Sequence, residues 1–509
     1  MSEGDPGEVE RCLQQVHQDQ VFLSGDKDWR VGKNFFIVKS TVEKVVKWAF
    51  ESSTGLYPKD PIPVGSYREG LHLQMEDSSN NFDFLIPLRF NPKLALTSGG
   101  IAKEVSSYER KLPTYIFREK GVPVYRWGTK VLVDLEAVGE TYVEVHCDKE
   151  EAQLEDDIGI TFDKLSECKD SLQHHNLDPV EILKDFYRYV EIALDPAYTH
   201  PRQNDPIFQR RLFPSRVPKI DNRMRQNIKL EVLDLDGSAI RLTFHEGMDA
   251  VPVKLVPAIQ GALKLSNQWL REDLTHLSDW WDGDLANEKR SFLRKVAAVQ
   301  EAGPELIPKG GYWRLSFSQA ETMILEDSDA DGGQRRAALR LLKFVNETKW
   351  IPEYGKVLTS YHLKTILLWC CEIYPQKAQW ETCLSSLKAL LKILNHTLNK
   401  KNLPHYFLQP VNLFNKRYRS SNATHRLLAL DALRREAEVM LADIVAYLMP
   451  GGKPQDGCVH DELEEKRAAL KEFKEKHQED LKELKRMEDE HMYEEVEMSE
   501  DSLKSSTEN

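Results

Sequence analysis

A chain of 509 residues that is 41% apolar and 9% aromatic can fill sizeable cores, which excludes wholesale disorder. Its formal charge of −13 argues against a surface coated in phosphate-binding cations. Residues 461–509 hold 9 basic and 18 acidic side chains, which leaves −4 for the first 460 and permits a local basic groove.

No run of about 18 apolar residues and no basic-then-apolar leader is present, so no membrane span is expected. Seven scattered cysteines without a CxxC pair fit reduced thiols, and Cys370-Cys371 falls in the apolar run ILLWCCEIY. The chain reads as a soluble protein of the cytosol, with the nucleus as the alternative.

After an N-terminal segment, residues 1–33, apolar positions Phe35, Val38, Val42, Val45 and Ala49 predict a helix over Asn34–Phe50. Prolines 58, 61 and 63 then break the chain, and VGSYREGLHLQ leads through a polar loop to the strand FDFLIPL. Strands are expected in Pro123–Val133 and Thr141–His146, and a helix over Pro179–Ala193. Residues 202–229 carry eight basic and two acidic side chains. A hairpin, IKLEVLDLDGSAIRLTF, turns at Asp236-Gly237 and is followed by the strand VPVKLVPAI.

From about Asn267 the pattern reads as mainly helical, with helices at Ser291–Val299, Gln319–Leu325, Arg335–Asn346, Ser360–Ile373, Gln379–Asn395 and Thr424–Met449. Mixed strands and helices giving way to a helical half imply two lobes sharing a cleft. In the tail, Asp461–Met498 is helix-prone, and Leu463, Leu470 and Leu484 stand on one heptad line. That line also holds His477, so a solvated single helix competes with a coiled coil.

A Gly-Ser turn lets backbone amides and a hydroxyl approach a triphosphate. Carboxylates at i and i+2 of a strand share one face and can share metal ions, which then clamp an in-line phosphoryl displacement. Gly65-Ser66 followed by the strand bearing Asp83 supplies the turn and one such carboxylate.

The ordered strings VGSYREGL, NFDFLIPL, VPVKLVPAIQ, YWRLSFSQAETMIL, LTSYHLKTILLW and YFLQPVNLF together resemble the cyclic GMP-AMP synthase-like nucleotidyltransferases, the male-abnormal-twenty-one (Mab) family, from about Asn34 to Met449. The resemblance implies an α+β, bilobed nucleotidyltransferase fold. A mixed sheet with a spine helix would occupy residues 34–265, a helical C-terminal lobe 266–450, and a charged tail 451–509.

Carried over position by position, Gly65 and Ser66 match the phosphate-cradling turn. Asp83 matches one metal-binding acid, while its partners read Asn81 and Lys254. Arg314, Ser316 and Ser318 match residues at the base and nucleotide edge, Lys343 a lysine near phosphates, and Ser360 and Tyr361 a phosphate-contacting hydroxyl and a stacking ring. Each also suits a structural role: Arg314 in a buried ion pair, Tyr361 in a core, Lys343 on a solvated face.

A divalent ion needs hard anionic ligands, and a protonated lysine repels it. The resemblance with these substitutions implies a degenerate centre, in which the Lys254 ammonium could neutralise a phosphate itself. Asp83 would hold Mg²⁺ or Mn²⁺ only in an active enzyme. Asp134, Asp234, Asp236 and Asp249 are candidate replacements, each more simply a turn or surface acid. Residues 319–344 hold neither Cys nor His, so the family's zinc insert has no counterpart and no zinc is expected.

The expected role is a nucleotide- or nucleic-acid-binding interaction protein taking ATP or GTP, in innate immune signalling or development. The rival is an active cyclic-dinucleotide synthase switched on by double-stranded RNA. Arg210, Arg211, Arg216, Lys219, Arg223 and Arg225 could meet a duplex, and the acidic tail could recruit protein partners.

Overall fold

The alternation in FDFLIP sends Phe82, Phe84 and Ile86 to one side of a strand and Asp83 and Leu85 to the other. The computed structural model describes residues 6–18, 38–47, 49, 60–73, 82–88, 116–119, 122–127, 130–133, 142–143, 146–148, 166–168, 174–177, 179–194, 228–230, 239–246, 249–260, 299, 302–309, 312–326, 328–374, 376–407, 412–414, 420–448 and 457–476.

Among these, a five-stranded sheet runs in the order β1 (Ile62–Val64), β2 (Phe82–Pro87), β12 (Asp249–Ala258), β11 (Ile240–Glu246), β10 (Ile228–Leu230). Only β2 and β12 pair in parallel; the other ladders are antiparallel. A second sheet has the order β13 (Glu305–Lys309), β14 (Tyr312–Ser316), β6 (Tyr142–Val143), β5 (Lys130–Val133), β4 (Val122–Trp127), β3 (Ile116–Glu119). A small third sheet joins β7 (His146–Asp148), β9 (His174–Leu177) and β8 (Ser166–Cys168). An antiparallel bridge, Ile259 to Leu306, ties the end of β12 to β13.

One face of the five-stranded sheet is covered by helices α2 (residues 38–47) and α4 (Pro179–Leu194). Val38, Val42, Val45 and Val46 meet Ile182, Phe186 and Val190 over Phe84, Leu242 and Leu255. Burying each such side chain contributes roughly 1.5–3 kcal/mol. The opposite face carries Asp83.

The helical lobe is built on α7 (Ser360–Ile373), whose apolar residues surround it, as suits a central helix. Around it pack α5 (Ser318–Glu326), α6 (Arg335–Val345), α8 (Cys383–Lys400), α9 (Ser420–Ala442) and a short helix, Ile444–Leu448. Thr359 and His362 close a capping box at the start of α7, and Thr382 with Ser385 does the same for α8. The indole N–H of Trp350, Trp369 and Trp380 each finds an acceptor: Tyr447 Oη, Pro404 O and Tyr374 O. Cys370 and Cys371 are buried thiols in this core.

Besides the single helix expected over Thr424–Met449, which starts at Ser420 and breaks at Asp443 into Ser420–Ala442 and Ile444–Leu448, three sequence expectations change. The half expected to be helical from Asn267 contains the β13–β14 hairpin, which extends a sheet instead of the helical core. The helix expected over Gln379–Asn395 begins at Cys383 and runs to Lys400, because the preceding Lys377–Trp380 turn is 3₁₀ and Thr382 supplies the cap.

The third change concerns the tail. Helix α10 (Gly457–Lys476) is docked rather than solvated on all sides: Leu463 and Leu470 are each 2% exposed in the helical-lobe core. Their heptad line serves an intramolecular seat. Residues 477–498 lie outside the described set.

At the other terminus, α1 (Pro6–Val16) buries Leu13 and Val16 in the same core. Its Glu10 carboxylate accepts the N–H groups of Cys383 and Leu384 at the start of α8, at 2.9 and 3.0 Å. None of the described helices is long and apolar enough to cross a membrane.

Candidate functional site

A cavity of about 440 Å³ opens where the Asp83 face of the five-stranded sheet meets β14 and the starts of α5 and α7. Its lining gathers Gly65, Ser66, Asp83, Arg314, Ser316, Ser318, Lys343, Ser360 and Tyr361, every nucleotide-contacting position and the one retained acid of the sequence reading. Glu69, Glu321, Lys364, His362 and His405 join them. The volume falls in the range of small-molecule sites.

Local structure explains each placement. Helix α3 (Gly65–Arg68) follows β1 directly, and Gly65 has φ +80°, a conformation that glycine adopts without strain. A Cβ at this position would lie 2.6 Å from Asp83 Oδ2, so the carboxylate packs against the bare turn. Gly65→Ala is therefore expected to cost about 2 kcal/mol and to displace Asp83. Urea denaturation of the two proteins checks this: a loss below about 0.5 kcal/mol would contradict the packing argument.

Ser316 ends β14 and Ser318 opens α5, with their hydroxyls 2.8 Å apart. Beneath them, fully buried Glu305 accepts the N–H groups of Ser318 and Gln319 at 3.1 and 3.0 Å. Burial still pushes its carboxyl up to about 8, against those hydrogen bonds.

The pocket floor is an ion triad that sequence reading missed. Lys364 Nζ lies 3.0 Å from Glu69 Oε1 and 2.5 Å from Glu321 Oε2, and both carboxylate side chains are at most 3% exposed. Burial alone would lower the lysine, but Glu321 and Glu69 outweigh it and hold the ammonium above its ordinary range. Burial pushes Glu321 up despite Lys364.

The triad continues through Tyr361, which hydrogen-bonds Glu321 and, at 2.9 Å, His405 Nε2. The Phe407 N–H donates to His405 Nδ1, so Nε2 carries the proton and donates to the Tyr361 hydroxyl. Lys343 is 7% exposed, and its ammonium donates to the Leu71 carbonyl at 2.5 Å rather than standing open to the cavity. Burial brings it down to about 8.

Next to Asp83, strand register decides the charge. Lys254 on β12 is directly paired with Asp83 on β2, and Arg241 on β11 is directly paired with Lys254. Directly paired residues share a sheet face, so Asp83, Lys254 and Arg241 form one row across three strands. Burial pushes Asp83 up to about 6, while Lys254 and then Lys364 pull it back and Glu69 adds to the rise.

Among the described residues, this donor set does not fit a pair of divalent cations. Glu69 is the second carboxylate in electrostatic reach of Asp83, but its Oε1 is engaged by Lys364. No group of three His, Cys, Asp or Glu side chains with metal-holding placement occurs among the described residues. Asp249 starts β12 five residues before Lys254, about 16 Å away along an extended strand, and cannot replace it.

Asn81, Asp134, Asp234 and Asp236 lie outside the described residues. So do Arg210, Arg211, Arg216, Lys219, Arg223 and Arg225.

Comparison with known proteins bears on the same segments. Residues 163–327 match the family model described as the Mab-21 protein nucleotidyltransferase domain, and residues 334–428 match the Mab-21 protein HhH/H2TH-like domain. Arg314, Ser316, Ser318 and Glu321 fall in the first match; Lys343, Ser360, Tyr361, Lys364 and His405 fall in the second.

The chain is similar to protein mab-21-like 3 of Danio rerio, 30% identical over 200 residues that make up 38% of this chain and 47% of that protein. It is similar to protein mab-21-like 3 of Xenopus laevis, 29% identical over 188 residues, 36% of this chain and 47% of that one. It also resembles protein mab-21-like of Aedes aegypti, 32% identical over 133 residues, 26% and 34% of the two chains. The chain thus spans less than half the length of each of these relatives.

Proposed function

We propose, starting from a chain that carries a Mab-21-family nucleotidyltransferase domain, that it binds a nucleoside triphosphate in the cavity at Gly65, Asp83 and Tyr361 and acts as a ligand-binding scaffold rather than as a synthase. The reading rests on one observation: residues separated by up to 296 positions, each matched beforehand to a nucleotide-contacting role, line one cavity. In this reading the Gly65-Ser66 turn receives phosphates, Ser360 adds a hydroxyl, and Arg314 and Tyr361 hold the base.

Catalysis is disfavoured by the charge beside Asp83. A cation in register with Asp83 raises the cost of seating a divalent ion in a partly buried cleft. Such a protein would serve a regulatory pathway, with innate immune signalling or development as the proposed settings, in the cytosol or nucleus.

The test uses the full chain. ATP or GTP at about 100 times Kd should raise stability by about 2.7 kcal/mol, and Tyr361→Ala should remove most of that gain. A flat melting curve with every nucleoside triphosphate would end the reading.

One observation favours a second reading, an active cyclic-dinucleotide synthase triggered by double-stranded RNA: Glu69 lies within electrostatic reach of Asp83. Labelled triphosphates incubated with Mg²⁺ or Mn²⁺ and duplex RNA would then yield a product, and Asp83→Asn would abolish it. The scaffold reading expects none.

A further inference from the structure

Tyr361 lines the cavity with a ring that is held from several sides. Its hydroxyl accepts from His405 Nε2 at 2.9 Å and bonds the Glu321 carboxylate beyond it. The Lys364 ammonium lies 5.6 Å from the ring centroid, and Arg314, also in the lining, is within electrostatic reach. Donors run one way along this chain: Phe407 N–H to His405, His405 to Tyr361, Tyr361 to Glu321. An imidazole engaged at both nitrogens keeps one tautomer and one orientation.

His405 is itself anchored through its neighbours. The Pro404 carbonyl accepts the Trp369 indole N–H at 2.8 Å, and the Tyr406 hydroxyl donates to Glu372 at 2.7 Å. Trp369 and Glu372 both belong to α7, the helix that carries Tyr361 near its start. The imidazole packs 5.2 Å from the Phe317 ring, which in turn stacks on Phe407. One helix thus fixes both the ring and the residue that holds its hydroxyl.

We propose that His405 is a positioning residue for the nucleobase: by donating to the Tyr361 hydroxyl it locks the ring in advance as a stacking surface. This rests on the nucleotide-binding reading above and deepens it by naming what sets base affinity separately from phosphate affinity. A ring ordered in advance spares the ligand the entropy of ordering it. The chain does not run through Gly65, Ser66 or Ser360, the positions assigned to phosphates, so its loss falls on the base alone.

The experiment is titration calorimetry of the full chain with ATP and, separately, with inorganic triphosphate. His405→Phe keeps an aromatic ring against Phe317 and removes the donor; His405→Gln keeps a donor. The expected results are an ATP affinity about fivefold lower for His405→Phe and recovery to within about twofold for His405→Gln. Inorganic triphosphate should bind all three proteins alike. Tyr361→Phe removes the hydroxyl, keeps the ring and gives the same test from the other end of the bond, should His405→Phe not fold.

Unchanged ATP affinity on removal of either end of that bond, or an equal loss for ATP and inorganic triphosphate, overturns the proposal while leaving nucleotide binding intact. Absence of ATP binding to the unmodified chain overturns the nucleotide reading, and this proposal with it.

Discussion

Lys364→Met is expected to destabilise the folded chain by about 3–5 kcal/mol, the largest loss foreseen for a single substitution. The lysine ammonium sits between Glu69 and Glu321, whose side chains are 1% and 3% exposed. Methionine keeps an apolar stem of similar reach and removes the ammonium, with its charge and its donors. Two carboxylates then share a buried floor with no cation between them, and their mutual repulsion adds to the cost of desolvation.

The pH dependence of that loss follows from the direction of the Glu321 shift. Its carboxyl is already held above the ordinary value by burial, and losing Lys364 pushes it further. A carboxyl whose folded pKa exceeds its unfolded pKa contributes most when protonated, below the unfolded value, and loses that contribution as pH rises through the folded value. The deficit of Lys364→Met should thus shrink in acid and grow toward pH 8. Urea denaturation at pH 5 and pH 8 measures it. An equal deficit at both would refute the triad as the cause.

Arg467→Ala should cost about 2 kcal/mol, less than a fully buried pair because the arginine side chain is 36% exposed. Its guanidinium reaches Glu436 Oε1 at 2.5 Å, and Glu436 is 2% exposed. The hydroxyls of Tyr354 and Tyr447 donate to the same carboxylate at 2.5 and 2.6 Å. Both phenols are driven up, first by burial and then by Glu436. Removing Arg467 leaves a buried carboxylate with only the two phenols as hydrogen-bond donors and Lys349 as the cation in electrostatic reach, and it also loosens α10.

The half-exposed Lys401–Asp431 pair gives an internal reference: Lys401→Ala should cost under about 1 kcal/mol. If the two alanine variants unfold at the same denaturant concentration, Arg467 is an ordinary surface charge and the docking of α10 rests on Leu463 and Leu470 alone.

What the sequence made legible depended on local periodicity or on a distinctive string. The string NFDFLIPL led to Asp83 on its strand, and the strings WRLSFS and SYHLKT led to residues that end β14 and begin α7. The ion triad had no such signature. Glu69, Glu321 and Lys364 come from YREG, SQAE and HLKT, where each charge reads as a solvated helix position. Only tertiary packing brings partners 252, 295 and 43 positions apart into contact.

Strand β13 escaped for another reason. ELIPK is short, lacks alternation and contains a proline, and the one available cue was the Gly310-Gly311 pair between it and YWRLS. In the tail, Leu463 and Leu470 were visible as a heptad line. A heptad line cannot say whether its partner is another chain or the same one.

The capping of α8 by Glu10 has a kinetic consequence. The acceptor and its two donors are separated by more than 370 residues, and the Leu463 and Leu470 seat is filled from beyond residue 456. A ribosome must therefore release the chain past residue 470 before this lobe can close, and contacts of such span slow the final condensation. A fragment trimmed to residues 334–428 would emerge without either terminal strap, its core open at both ends and prone to self-association.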